Sequence, residues 1–125
     1  SLDEMLAIAY LSRYDLDAHI EEVKALYRER RDLMLTCIAK YFPAGVRYTK
    51  PHGGFFIWLE LKEGLNAEEL LRKAARDKNV AFIPGGAFFV EGGKPNFIRL
   101  SYSFVNNDEI VTGIRRLGTL LHTYY

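Results

Sequence analysis

The apolar segment at residues 55–61 constrains the fold of this chain more than any other. It reads Phe-Phe-Ile-Trp-Leu-Glu-Leu. Successive side chains of a β-strand point to opposite faces of the sheet. Here both sets are apolar, with Phe55, Ile57, Leu59 and Leu61 alternating with Phe56 and Trp58. Because a strand that is apolar on both faces needs cover on both, we expect this one at the centre of a sheet.

A long amphipathic helix is predicted from about Asp15 to Phe42. The segment at residues 12–15 interrupts the helical pattern that begins the chain, and either Asp15 or Asp17 can cap the new helix. At 1.5 Å per residue its length would be roughly 40 Å, whereas a compact chain of this size is about 35 Å across. One end should therefore project, and its N-terminal turns should pack against something outside this chain.

Two shorter helices are predicted from their N-terminal caps. Asn66, with Glu69 three residues later, begins a helix over residues 67–78, and Asn106, with Glu109, begins the last one. The apolar stripe of that last helix, which we expect to be buried, is Ile110, Ile114, Leu117 and Leu121. Short strands are expected at residues 46–49, 80–83 and 96–103, with a loop over residues 84–95. The order helix, helix, strand, strand, helix, strand, strand, helix predicts an α/β fold, an α+β sandwich in which helices cover a short, mostly antiparallel sheet.

Composition and charge exclude several classes of protein. The 125 residues, about half of them apolar, suffice for one ordinary core. Seventeen basic and sixteen acidic residues form no basic stripe, so we expect no nucleic-acid binding. No apolar run approaches the roughly 18 residues of a membrane span, and the lone Cys37 fits a reducing cytoplasm. Because the helical pattern begins at Ser1 without an initiator methionine, we expect an excised domain.

A single arginine occupies the middle of the apolar strand at residues 96–103. Alternation places Arg99 on one face with Phe97 and Ser101. The residues that point to the core are Ile98, Leu100 and Tyr102. A guanidinium is costly to desolvate without a partner, and its planar fork matches a carboxylate or a phosphate. Two interpretations stay open. Arg99 either binds an anion, or lies on the wet face of the sheet with its stem along Phe97.

Three motifs in this order resemble the C-terminal small domain of the fold-type-I, class I pyridoxal-phosphate-dependent aminotransferases, nearest the 2-aminoadipate aminotransferase-like group. They are the turn Lys50-Pro51-His52-Gly53-Gly54 with its strand, the loop start Pro84-Gly85-Gly86, and the strand Phe97-Ile98-Arg99-Leu100-Ser101. The resemblance covers nearly the whole chain. It implies that residues 1–14 are the end of an inter-domain helix and linker, and that residues 15–125 form the small C-terminal substrate-binding domain.

The resemblance also implies roles for particular residues. Arg99 matches the arginine that binds the α-carboxylate of the amino-acid or 2-oxo-acid substrate. Gly53 and Gly54 match a turn that approaches the substrate closely, a use to which residues without a Cβ are suited, although a plain turn fits as well. By the same analogy Phe55 and Phe88 wall the substrate side-chain pocket; a place in the core is the alternative for each.

The residues that bind the cofactor in these aminotransferases are missing from this sequence. In those enzymes a lysine of the large domain binds pyridoxal phosphate covalently, and an aspartate and several Ser, Thr and Arg residues hold its ring and phosphate. None of those motifs occurs here, and the three histidines lack metal-ligand spacing. We therefore expect pyridoxal phosphate to be bound only by a full-length enzyme, a homodimer by family resemblance, and this chain alone to be inactive.

Two other functions stay open at this stage. The first is a non-enzymatic module that binds small carboxylates or a partner protein through the face of Arg99. The second is the effector domain of an aminotransferase-like transcription regulator. The upstream sequence would separate these functions from the aminotransferase. A lysine-bearing domain there supports the enzyme, and a winged-helix segment supports the regulator.

Overall fold

Helices cover one face of a four-stranded sheet in the part of the chain that the structure describes. The computed structural model describes residues 13–51, 54–76, 88–90, 94–103 and 105–125. Its elements in chain order are α1 (Arg13–Tyr41), β1 (Arg47–Tyr48), β2 (Phe56–Glu60), α2 (Ala67–Arg76), β3 (Phe88–Val90), β4 (Phe97–Ser101) and α3 (Asn107–Leu121). The predicted α/β architecture is confirmed.

The strands lie in the order β1-β2-β4-β3, and every neighbouring pair is antiparallel. The strand predicted to be central, β2, is therefore central, with β4 beside it. The register places Trp58 directly opposite Arg99, and Phe56 opposite Ser101. This pairing fixes the position of Arg99 relative to the aromatic side chains of β2.

The core lies between the sheet and the helices. One face of the two central strands is fully buried, and it packs with one side of α1, α2 and α3 in a single cluster that includes Ile57, Leu59, Ile98, Leu100, Met34, Ile38, Leu70, Ile110, Ile114 and Leu117. The apolar stripe predicted for the last helix is thus confirmed. On the opposite face of β2 and β4, Phe56, Trp58, Phe97 and Arg99 are half-buried and Ser101 is buried.

The helix α1 begins earlier than the sequence pattern predicts. Asp15 and Asp17 lie inside it, so the predicted break is wrong over residues 13–15, the part of it that the structure describes. The segment contains no Pro or Gly, and polar side chains are tolerated in an exposed first turn. All side chains from residue 13 to 22 are exposed, and the buried ones are Met34, Cys37 and Ile38. Residues 13–22 of α1 therefore stand clear of the core among the described residues.

A strand replaces part of the predicted loop over residues 84–95. Phe88–Val90 form β3, which pairs antiparallel with β4 through Phe88 opposite Leu100 and Phe89 opposite Arg99. Two aromatic residues and a valine favour the extended conformation, and they occupy the otherwise open edge of β4. The strand predicted at residues 80–83 lies outside the described residues.

Both predicted helix caps are confirmed. The Asn106 side chain accepts a hydrogen bond from Glu109 N at 2.8 Å, and Glu109 Oε1 accepts one from Asn106 N at 3.1 Å, which completes a capping box. Asn66 Oδ1 accepts from Glu69 N at 3.0 Å. In the described part of the chain, no helix combines the length and the apolar character needed to cross a membrane.

Candidate functional site

Arg99 lies against the aromatic side chains of β2. Its Cζ atom is 4.3 Å from the centroid of the Phe56 ring and 6.0 Å from that of Trp58. The side chain is half-buried, and its Nε atom is buried. The guanidinium group therefore makes a cation–π contact with the neighbouring strand. Such a contact orients the guanidinium group.

A guanidinium held in this way retains its chemistry for anions. Its five N–H donors lie in the plane of the group, a geometry that matches the two oxygens of one carboxylate. Contact with an aromatic ring also replaces part of the hydration that the cation loses on burial. The arrangement suits a rigid, oriented carboxylate-binding group.

The turn before β2 is shaped by Gly54. Its φ angle is +82°, a region that side-chain-bearing L-residues rarely adopt. A Cβ built at this position would meet nothing within 4 Å. Among the described residues, no contact requires glycine here, so the requirement comes from the backbone conformation. Gly53, the other predicted glycine, lies outside the described residues.

Phe55 does not join the core. Its side chain is 47% exposed, and its ring meets that of Tyr27 edge-on, with the centroids 5.3 Å apart and an interplanar angle of 89°. The alternative of a core role for Phe55 is wrong, because the residue precedes β2 and lies beyond the end of the strand pairing. Phe88 lies in β3 opposite Leu100, while its side chain lies outside what the structure describes.

Tyr102 joins the end of β4 to the glycine turn. Its hydroxyl donates a hydrogen bond to the Gly54 carbonyl at 2.6 Å, and its backbone N–H donates one to the Phe55 carbonyl at 3.1 Å. The side chain is 1% exposed. Burial raises the pKa of Tyr102 above its ordinary value of 10.0, an effect that Asp32 reinforces and Arg31 opposes. The hydroxyl therefore stays protonated, and able to donate, at neutral pH.

The same region carries a cleft with a cationic rim. It has a volume of about 310 Å³, and Lys24, Arg28 and Arg31 of α1 line it together with Gly54, Phe55 and Tyr102. A larger cleft of about 520 Å³ includes Glu60 and Lys62, at the opposite end of β2. The first cleft is the one that adjoins the predicted substrate-binding turn.

Comparison with known proteins decides the family. Residues 4–117 match the family model of aminotransferase class I and II. The chain belongs to the class I and II aminotransferases. It is 44% identical over 120 residues to the 2-aminoadipate transaminase of Thermus thermophilus, an alignment that covers 96% of this chain and 30% of that enzyme.

A solved structure agrees with this assignment to the aminotransferases. The alpha-aminoadipate aminotransferase LysN of Thermus thermophilus, complexed with N-(5'-phosphopyridoxyl)-L-leucine, superposes with a TM-score of 0.72 at 43% identity, covering 86% of this chain and 28% of that one. The chain is also 27% identical over 121 residues to the uncharacterized HTH-type transcriptional regulator YdfD of Bacillus subtilis. That alignment covers 97% of this chain and 24% of the regulator. It thus spans less than a third of the length of these relatives.

The described residues of this aminotransferase segment do not fit the covalent attachment of pyridoxal phosphate. Its six described lysines are all exposed, and five of them lie near an aromatic ring at the surface, as Lys62 does beside Tyr125 and Lys73 beside Tyr124. An exposed lysine lacks the enclosed pocket in which a cofactor is held and oriented. Nor do the described residues contain a cluster of side chains suited to a metal ion.

Sequence reasoning missed two contributors to this site. Phe56, which supports the Arg99 guanidinium, was assigned only to a strand face. Tyr102 was assigned only to the core. A tyrosine at a core-facing position is a usable signal, because a buried hydroxyl needs a hydrogen-bond partner. The partner itself is 48 residues away in the chain, and no sequence pattern identifies it.

Proposed function

We propose that this chain is the substrate-binding small domain of a longer pyridoxal-phosphate-dependent aminotransferase, and that Arg99 binds the α-carboxylate of the amino-acid or 2-oxo-acid substrate. The bound cofactor supplies the electron sink for amino-group transfer. This chain contributes orientation, because a carboxylate held at two oxygens fixes how the rest of the substrate is presented.

The observation that carries the proposal is the seating of Arg99 on Phe56. The guanidinium lies on a central strand, its contact with the ring restricts its orientation, and Tyr102 connects the same strand to the Gly54 turn. An anion-binding group held in this way pays little entropy on binding, whereas a flexible surface arginine loses its rotamer freedom. The family membership adds the reaction class.

The exposed half of α1 supports the view that a larger protein surrounds this domain. Leu16, Ile20 and Leu26 are 37%, 41% and 41% exposed. We propose that the large domain covers this surface, and that residues 1–14 lead towards it. A full-length homodimer would follow from the family; sedimentation of the full-length protein would measure its size.

The test uses the full-length aminotransferase that contains this chain. Arg99→Lys keeps the charge but loses the two-point geometry, and Arg99→Ala loses both. Because hydrogen bonds to charged groups contribute about 1.5–3 kcal/mol each, kcat/KM for amino acids should fall by roughly one to several orders of magnitude. Cofactor content should be unchanged, because the role assigned to Arg99 is towards the substrate.

Two controls make the result specific. Arg47→Ala removes an arginine whose side chain is 84% exposed and which pairs with Glu60 at 3.7 Å, so it should leave kcat/KM unchanged. Amines without an α-carboxylate should react at nearly the same slow rate with all variants. If the Arg99 variants lost activity equally towards amines and amino acids, the carboxylate role would be wrong.

A second candidate function is supported by the similarity to the transcription regulator. The same domain would then sense a carboxylate ligand for a DNA-binding segment elsewhere in the protein. The amino-acid sequence encoded upstream separates the two, since a winged-helix segment there would favour the regulator.

A further inference from the structure

The Gly54 turn lies beyond the regular pairing of the two central strands. The last paired residues at this end of the sheet are Phe56 on β2 and Ser101 on β4. Gly54 is two residues further out, with φ at +82° and open space beside it. The strand pairing that fixes Arg99 therefore does not extend to the turn.

Tyr102 connects the turn to β4. Tyr102, the residue directly after β4, binds two consecutive carbonyls of the turn, Gly54 through its hydroxyl at 2.6 Å and Phe55 through its backbone N–H at 3.1 Å. Only the hydroxyl bond depends on the identity of the side chain. The ring is buried against the core, so the hydroxyl is held in place and sets the orientation of the Gly54–Phe55 peptide.

We propose that Tyr102 is a positioning residue that holds the Gly54 turn at a fixed distance from Arg99, and so sets the affinity for the amino-acid substrate. This inference rests on the proposed function. Tyr102 touches neither substrate nor cofactor in this scheme; it acts through the Gly54 carbonyl. Because Arg99 keeps its own support on Phe56, loss of the Tyr102 hydroxyl should displace the turn and leave the arginine in place.

The α1 helix stabilises the same strand end. Arg30 Nη1 donates to the Ser103 carbonyl at 2.9 Å, directly after Tyr102, and the Ser101 and Ser103 hydroxyls are 2.9 Å apart. The backbone on which Tyr102 stands is thus held on both sides. A rigid anchor is what a positioning role requires.

The matched pair for the experiment is Tyr102→Phe and Tyr125→Phe in the full-length aminotransferase. Each removes one hydroxyl that bonds to the backbone, since the Tyr125 hydroxyl accepts from Lys62 N at 2.7 Å at the other end of β2. Tyr102→Phe should raise KM for the amino acid about 2- to 10-fold, the equivalent of one neutral hydrogen bond, with kcat nearly unchanged. Tyr125→Phe should change neither constant.

Amide hydrogen exchange gives a second measurement that does not depend on activity. Residues 54–56 should exchange faster in Tyr102→Phe than in wild type or Tyr125→Phe. Exchange rates and a KM that match the Tyr125→Phe control would overturn the positioning role, while a lowered kcat/KM for Arg99→Lys in the same preparation would leave the proposed function standing. If Arg99→Lys leaves kcat/KM for amino acids unchanged, the proposed function fails, and the exchange data alone then decide whether Tyr102 holds the turn.

Discussion

Two glycines in this chain allow the cost of a backbone conformation to be separated from the cost of a contact. Gly54 has φ at +82° and Gly64 has φ at +95°, and a Cβ at either would meet nothing within 4 Å. Alanine at either site therefore collides with none of the described residues. What remains is the strain of a side-chain-bearing residue in the left-handed region, about 1–2 kcal/mol.

The expected shift in melting temperature follows from chain length. An unfolding entropy of about 2.1 cal/mol/K per residue amounts to roughly 0.26 kcal/mol/K for this chain. Gly54→Ala and Gly64→Ala should each lower Tm by about 4–8 °C, measured by thermal unfolding followed by circular dichroism. Asparagine, which tolerates this region better than alanine, should recover part of the loss at both positions.

Gly45→Ala is the contrasting variant. Gly45 has no positive φ, and its added Cβ would lie 3.1 Å from two ring atoms of Tyr125, a partly exposed side chain that can move. Its Tm should fall less than that of the other two variants. Wild-type stability for both Gly54→Ala and Gly64→Ala would refute the strain argument. In the full-length enzyme only Gly54→Ala should also raise KM, because Gly64 lies in the turn before α2.

Two further stability measurements test the packing. A Cβ on Gly118 would lie 2.5 Å from the Tyr41 carbonyl oxygen, so Gly118→Ala should force α1 and α3 apart. The free energy of unfolding should fall by about 1–3 kcal/mol, because this crowding outweighs the roughly 1 kcal/mol that alanine gains over glycine in a helix. Urea unfolding measures the difference, with Thr119→Ala as the exposed control. Because burial raises the pKa of Tyr102, the unfolded chain loses this proton first as pH rises. The stability advantage of wild type over Tyr102→Phe should therefore shrink above about pH 10, and a constant difference would contradict the burial argument.

Local patterns in the sequence predicted those parts of the fold that depend on local physics. The capping pairs at Asn66 and Asn106, the buried stripe of α3 and the central place of β2 all follow from residues close together in the chain. The start of α1 could not be predicted, since Asp15 is tolerated in an exposed turn as readily as at a cap. The strand β3 was not predicted because it has only three residues and lies between glycine pairs. Its extended conformation is fixed by pairing with β4, which the local sequence does not reveal.

The candidate site was predictable only as a set of residue types. Arg99 was identified because a cation in an apolar strand is unusual, and Gly54 because the family resemblance matches it to a turn near the substrate. Neither pattern contains the register that sets Arg99 opposite Trp58, or the contact between Arg99 and Phe56. Long-range geometry of this kind depends on how the sheet assembles, and the assembly is fixed by the whole core.

The two parts of the site, Arg99 and the Gly54 turn, are held by interactions of unequal strength. Arg99 stands on a central strand whose pairing involves many backbone hydrogen bonds, so single substitutions nearby should hardly move it. Among the described residues, the Gly54 turn bonds to β4 only through the side-chain hydroxyl and the backbone N–H of Tyr102, and the Phe55 ring also meets that of Tyr27. Changes that preserve the fold can therefore shift the turn while leaving Arg99 in position, and in the proposed enzyme substrate affinity would change before the carboxylate contact is lost.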